Sequence, residues 1–400
     1  MTQLPPPSFE AQAHSAQLVE KIQQAIQAQS GWMSFANFMN MALYTPALGY
    51  YAGGLDKFGE GGDFVTAPEI SALFGQTLAN QIAQILPQTQ HNLLELGAGS
   101  GKLAQDVLLR LAELDVYPHY FILEVSNHLR AVQQENLKQS LPSEIFAHVV
   151  WLDKLPENFS GVILANEVLD ALPVHIVRQA EDGIAERGIT EKSGEFVWQE
   201  KTLAKVNQAG GRIEAPNLTL AERKLLADVI AQNLPVGMVT EFCPAASGLI
   251  HSLSISLQQG AILIIDYGFS AREYYHPQRG QGTLMCHYRH YAHDDPLKFV
   301  GLQDITAHVN FTQIAEAGVA SGLCLSGFTS QAQFLLNCGL LNFMQKISPE
   351  EIAQYAPMAA AVQKLLSPAE MGELFKVIGF SKNIAPALLG FMQGDKAHTL

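Results

Sequence analysis

Leu93-Leu94-Glu95-Leu96-Gly97-Ala98-Gly99-Ser100-Gly101 runs a short apolar strand straight into a turn with glycine at alternate positions. An apolar-periodic helix follows at once, over residues 102–112. Glycine lets the backbone turn sharply and brings bare amide groups close to a ligand. In α/β folds this is how a nucleotide-type cofactor site forms at the carboxyl end of the first strand. The spacing narrows the choice of cofactor. The dinucleotide fingerprint G-x-G-x-x-G needs glycine at position 102, where the chain has Lys102. A P-loop fails twice, because its first glycine would fall on Leu96 and Leu103 replaces the Ser or Thr that holds magnesium. What remains is G-x-G-x-G, the spacing that methyltransferases use for S-adenosylmethionine, with Gly97, Ala98, Gly99 and Gly101 against the ligand.

Composition sets the outer bounds. A chain of 400 residues predicts one large α/β domain with additions, or two domains. A 48% hydrophobic content and a mean hydropathy of +0.09 predict a well-buried globular protein. A formal charge of −14 without any basic run argues against nucleic acid as partner. The same acidity suits a cationic substrate, or serves solubility alone. Cys243, Cys286, Cys324 and Cys338 lie far apart with no C-x-x-C pair, so they read as reduced core residues of a cytosolic protein. No apolar run approaches the roughly 18 residues of a membrane span. The first residues carry three consecutive prolines and no arginine precedes Arg110, unlike a signal or Arg-rich transit peptide. Cytoplasmic placement is the expectation.

Along the chain, apolar spacing predicts helices over 16–26 and 34–42, then a glycine-rich loop over 53–62. Thr66 is a candidate cap, with Pro68 in the first turn of a helix running to about residue 86. Strands are expected at 92–96, 120–124, 148–152 and 161–165, alternating with helices as in a parallel, doubly wound sheet. After Pro173 the pattern changes to 175–180, 184–190 and 195–199, separated by good hairpin turns. A helix at 219–232 and strands at 236–242, 261–266, 305–311 and 323–328 follow, with further helices to the end. The expected organisation is a helical cap with the glycine-rich loop over 1–90, and a cofactor-binding domain over 91–340 with an insertion at about 174–235. A helical extension covers 341–400.

Several polar residues fall at strand ends, where ligands bind in such sheets. Glu124 ends the second strand, and a carboxylate there can accept both protons of a ribose diol. The plain alternative is a solvated strand-end acid. Asp153 follows the third strand, where methyltransferases commonly contact the adenine amino group. The fourth strand ends in Asn166-Glu167-Val168-Leu169-Asp170-Ala171-Leu172-Pro173. If this segment is helical, Glu167 and Asp170 share a face and can clamp a guanidinium beside the methyl donor. Alternatively Asn166 caps a helix whose positive end the two acids merely favour. His287, His290 and His293 share a helix face only in part, so a loop or core role is expected there and no metal. Asp266-Tyr267-Gly268 ends the aliphatic strand facing the cofactor edge, with no role assigned.

Together these segments resemble the mitochondrial complex I assembly-factor 7 and MidA family of class I methyltransferases. The resemblance rests on Gly49-Tyr50-Tyr51, the stretch from Gly62-Asp63-Phe64 through Thr66 and Glu69 to Ser71, and the turn 95–101. It continues through Glu124-Val125-Ser126, residues 166–173, Ile265-Asp266-Tyr267-Gly268 and residues 304–311, all in family order. Ala98 departs from an expected proline, and Asn310 from an expected aspartate. The resemblance implies a Rossmann-like seven-stranded sheet with an N-terminal helical cap and an inserted antiparallel and helical lobe. It implies S-adenosyl-L-methionine at the glycine turn and Glu124, covered by the segment holding Asp63, Thr66 and Glu69, with Asn166 beside it. It further implies a protein partner, an arginine of a complex I subunit, as methyl acceptor, which the acidic pair at the strand end, Glu167 and Asp170, is expected to orient as catalytic residues. The rivals are a dinucleotide oxidoreductase, a small-molecule methyltransferase and a non-catalytic assembly protein that keeps the fold.

Overall fold

Seven strands make the central sheet: β1 (Asn92–Leu96), β2 (His119–Leu123), β3 (Val149–Leu152), β4 (Phe159–Asn166), β5 (Leu257–Phe269), β6 (Cys324–Ser330) and β7 (Phe375–Lys382). They come from a computed structural model that describes residues 4–53, 66–205, 218–385 and 387–400. Their spatial order is β3-β2-β1-β4-β5-β7-β6, parallel except for β7, which runs antiparallel to both its neighbours. The two-residue strand Val309–Asn310 adds a short parallel pairing at the end of β5. The order reverses between β1 and β4, so a crevice opens at their carboxyl ends, where such sheets bind ligands.

The core follows from alternation along the strands. Leu93 of β1 packs into the cluster on one face of the sheet, with Leu103, Val107 and Leu111 of the following helix. Leu94 packs into the cluster on the other face, with Ile250, Leu253 and Phe311. Central β4 and β5 are covered on both faces, which is why 162–165 and 261–265 are continuous aliphatic runs with no exposed residue.

Helices Phe9–Ala28 and Phe35–Tyr44 are capped by Ser8 and Ser34, whose hydroxyls accept from the backbone N–H of Ala11 and Asn37. Their apolar faces pack not on the central sheet but on Val174, Ile176, Ile189 and Val239 of the inserted lobe. That lobe is an antiparallel sheet of His175–Ala180, Gly183–Lys192, Glu195–Lys205 and Val239–Phe242, to which Met33–Ser34 adds a fifth short strand. A second small antiparallel sheet joins Met285–Tyr288, Tyr291–His293 and Asp304–Thr306.

Three local expectations are corrected. The helix expected from residue 66 to about 86 breaks at Ser71, which is extended (φ −162°) and caps Ala72–Ile85 by accepting from the Leu73 N–H. The strand expected over 305–311 is two short strands, and Phe311 already begins a helix. Strand β7 lies within the segment expected to be helical. Its apolar run is diluted by Lys376 and interrupted by Gly379, where a side chain would strike the Phe391 ring.

Gly260 and Gly161 face each other across β5 and β4. Gly260 has φ +134°, and a Cβ there would lie 1.7 Å from the Gly161 carbonyl oxygen. Gly260→Ala should therefore destabilise the protein by about 2 kcal/mol or more, read as a lower midpoint in urea unfolding.

Candidate active site

A cavity of about 770 Å3 opens at the carboxyl ends of β1, β2 and β4. Gly97, Gly99 and Ser100 of the glycine turn form its floor, whereas Gly101, expected against the ligand, does not line it and lies beside Gln133 and Leu137. Gly97, Gly99 and Gly101 have φ of +61°, +54° and +86°, a region that side chains disfavour and glycine adopts freely. Gly101 is the N-cap of helix Lys102–Glu113, which points its N-terminus into the cavity region. Ala98 also lines the space.

Glu124 lies one residue beyond β2, is 7% exposed, and lines the cavity. Its Oε1 accepts from the Ser126 N–H (2.9 Å) and its Oε2 from Gln133 Nε2 (2.9 Å). Ser126 in turn caps helix Asn127–Ser140. Two residues of that helix, three apart and so on one face, hold the glycine turn. Gln133 Nε2 donates to the Gly99 carbonyl and Asn136 Nδ2 to the Ser100 carbonyl, both at 3.0 Å. From the opposite wall Glu69 accepts a hydrogen bond from the Ser100 hydroxyl (2.5 Å). Thr66 lines the cavity and precedes helix Ala67–Ile70 without a side-chain capping bond. Asp63 lies outside the described residues. Glu95 of β1 lines the cavity as well. Burial pushes its pKa up to about 7, although the Tyr120 hydroxyl donates to it at 2.7 Å.

Asp153 is not brought to the cavity. It is 88% exposed and paired with Arg130 at 2.9 Å, because β3 ends at Leu152 and the next residue already faces solvent. Val125, Asn127, His128 and Leu129 line that side instead.

The expected helix after β4 is absent. Residues 167–172 form a turn, with Glu167 at φ +52°. The cause lies in β5. Oδ2 of the fully buried Asp266 accepts from the N–H groups of Leu169 (2.9 Å) and Asp170 (3.2 Å), and its Oδ1 from that of Tyr267 (2.9 Å). Asn166 therefore caps no helix. It lines the cavity, donates from Nδ2 to Glu167 Oε1 (3.1 Å), and keeps a buried Oδ1 without a hydrogen-bond partner. Glu167 lines the cavity, whereas Asp170 sits behind it with Oδ2 on the Tyr267 hydroxyl (2.5 Å) and a buried Oδ1 without a hydrogen-bond partner. Burial first, and the charge of Asp170 second, push the Glu167 pKa up to about 8. Burial also raises Asp170 and Asp266, and for Asp266 the neighbouring carboxylates add to it.

Tyr44 and Tyr51 line the cavity next to this turn, stacked with ring centres 5.6 Å apart. Tyr44 donates to the Ala171 carbonyl (2.9 Å), and Tyr51 to Asp304 Oδ1 (2.8 Å). Sequence reasoning left out Gln133, Glu95, the two tyrosines and the function of Asp266. Only the i, i+3 pair Gln133 and Asn136 carried a local signal. The histidines at 287, 290 and 293 fall in a β-hairpin, with His290 in its turn (φ +66°). Among the described residues no group of three or more His, Cys, Asp or Glu is placed to hold a metal ion, and no helix is long and apolar enough to cross a membrane.

The raised acids carry a sign. A carboxyl whose pKa rises from 4.5 to about 8 on folding binds its proton more tightly in the folded state. Its contribution to stability is therefore lost as pH climbs through that window. Without ligand, Glu167→Gln should be stabilised relative to the wild type by an amount that grows from pH 5 to pH 8, measured as the gap between their Tm values. A gap that stays constant would show that Glu167 titrates normally.

Residues 77–329 match the family described as S-adenosyl-L-methionine-dependent methyltransferases. The chain is 30% identical to the human protein arginine methyltransferase NDUFAF7, mitochondrial, over 86% of this chain and 79% of that one. The Danio rerio protein of the same name is 28% identical, over 87% and 83%. A Burkholderia thailandensis structure bound to S-adenosyl-homocysteine superposes with a TM-score of 0.92 at 46% identity, covering the whole of both chains. The mitochondrial names of the curated relatives contradict the expected cytoplasmic placement. That expectation rested on a missing leader pattern, which does not locate a protein. With its glycine turn, its sheet order and these relatives, the chain belongs to the S-adenosyl-L-methionine-dependent methyltransferase family.

Proposed function

We propose that the methyl acceptor is an arginine side chain of a protein substrate. The observation that carries this reading is the acidic turn. Glu167, Asp170 and Asp266 are packed together, their pKa values are raised, and hydrogen bonds alone oppose that rise for Glu167 and Asp170. Such a cluster is costly to ionise unless a cation arrives. A guanidinium suits it better than an ammonium, because its planar fork engages a carboxylate through two N–H groups and stacks on aromatic rings such as Tyr44 and Tyr51. The names of the curated relatives support the same acceptor. The family resemblance points further, to a respiratory complex I subunit, which we propose as the first acceptor to test.

The cofactor fits the other half of the cavity. Its volume of about 770 Å3 suits a nucleoside joined to an amino acid. Glu124 is proposed to accept from the ribose hydroxyls, Gly97–Gly101 to approach the amino-acid portion, and the unpartnered Asn166 Oδ1 to accept a cofactor or acceptor N–H. Glu69 and Thr66 close the cavity from the cap side. When bound, S-adenosylmethionine supplies an electrophilic methyl carbon on a sulfonium, open to in-line displacement. The chain's own contribution is then placement. Glu167 orients the guanidinium and, ionised once that cation is seated, accepts the proton that the substituted nitrogen sheds, while the charge of Asp170 behind it raises its affinity for that proton.

Incubating the purified protein with methyl-labelled S-adenosylmethionine and complex I subunits, followed by acid hydrolysis, should place the label in methylarginine. Label in lysine or in low-mass material, or no transfer, would overturn the proposal. Glu167→Gln should lower kcat by about 100-fold. It should leave the Kd of S-adenosylhomocysteine within about threefold, because its contacts lie on the acceptor side.

A further inference from the structure

We infer that Gln133 is a positioning residue for the cofactor, acting through Glu124 and the Gly99 carbonyl, and that it sets how strongly the ribose hydroxyls are recognised. Gln133 is fully buried and does not line the cavity itself. Its carboxamide nevertheless ties the loops that follow β1 and β2 to strand β3. Nε2 donates to the Gly99 carbonyl (3.0 Å) and to Glu124 Oε2 (2.9 Å), while Oε1 accepts from the indole N–H of Trp151 (3.0 Å).

The polarity of these partners leaves the amide one orientation. An indole N–H can only donate, and a carbonyl and an ionised carboxylate can only accept. The oxygen must therefore face Trp151, and the two N–H groups must face Gly99 and Glu124. Both amide hydrogens are thus used, and each fixes a different part of the site. One turns the Gly99 carbonyl inward. The other holds the Glu124 carboxylate, whose second oxygen is held by the Ser126 N–H. Glycine at 99 gives the turn freedom to move, so an external side chain is what holds it still. Asn136 repeats the device one residue later, on the Ser100 carbonyl. A hydrogen bond to a carboxylate inside the fold is worth more than an exposed one, and losing it leaves a buried acceptor unsatisfied.

This inference rests on the reading of Glu124 as the ribose acceptor, so the test separates the two. Calorimetric Kd values are measured for S-adenosylhomocysteine and for its analogue lacking the 2′ and 3′ hydroxyls, with wild type, Gln133→Met and Glu124→Gln. Gln133→Met should weaken S-adenosylhomocysteine about tenfold and the dideoxy analogue about threefold, the shared part of the loss coming from the loosened Gly99 turn, so that the preference for the ribose hydroxyls shrinks. Equal weakening of both ligands, or no weakening, overturns the inference, because a merely structural glutamine would not discriminate between them. If Glu124→Gln keeps the full preference, the ribose reading itself is wrong, whatever Gln133 does. Should Gln133→Met fail to fold, Trp151→Phe removes the N–H that orients the amide while keeping an aromatic ring at that position. It should shrink the preference in the same direction, and an unchanged preference there overturns the inference.

Discussion

The active site depends on one buried carboxylate. Asp266 ends the innermost part of β5 with no exposed surface, and it accepts hydrogen bonds from the backbone of Leu169, Asp170 and Tyr267. Each such bond is worth about 0.5–1.5 kcal/mol and leaving a buried partner unsatisfied costs about 1–3 kcal/mol, whereas a left-handed residue such as Glu167 costs about 1–2 kcal/mol. The bonds therefore outweigh the strain, and the segment after β4 becomes a turn that presents Glu167 to the cavity. The same carboxylate brings Asp170 and Glu167 into a like-charge cluster, and burial there raises both acids, Glu167 to about 8 and Asp170 only to about 6.

Both halves of the site use one device: a polar side chain from a neighbouring element captures the backbone of a loop that has no regular structure. Gln133 and Asn136 hold the glycine turn, and Asp266 holds the acidic turn. The chemistry differs on the two sides. The half proposed for the cofactor offers glycine backbone, one oriented acid and the Asn166 amide. The half proposed for the acceptor offers clustered acids beside two stacked tyrosines, a surface that suits a flat cation. The overall charge of −14 acts in the same direction at longer range.

What could be read from the sequence was what local chemistry decides. The strand, turn and helix at 92–113 follow from apolar spacing and from glycines that adopt positive φ. Glu124 could be placed because it directly follows its strand. Residues 166–173 could not, since Asn-Glu-x-x-Asp reads as a capped helix start, and the group that overrides this lies almost a hundred residues later at Asp266. Asp153 was misplaced because its strand stops one residue earlier and Arg130 draws the carboxylate outward. Strand β7 was hidden because its glycine exists for the distant Phe391 ring. Gln133 looked like any polar helix residue, and its three partners come from two separate loops and strand β3.

The central claim is that the acidic turn keeps Glu167 protonated until a cation binds. The direct measurement is an NMR titration of the Glu167 side-chain carboxyl carbon, free and with S-adenosylhomocysteine plus an arginine-containing acceptor peptide. The account predicts a midpoint of about 8 in the free protein, falling by at least about two units when the guanidinium is seated. A midpoint near the ordinary 4.5 in the free protein, or one that does not move on binding, would contradict it.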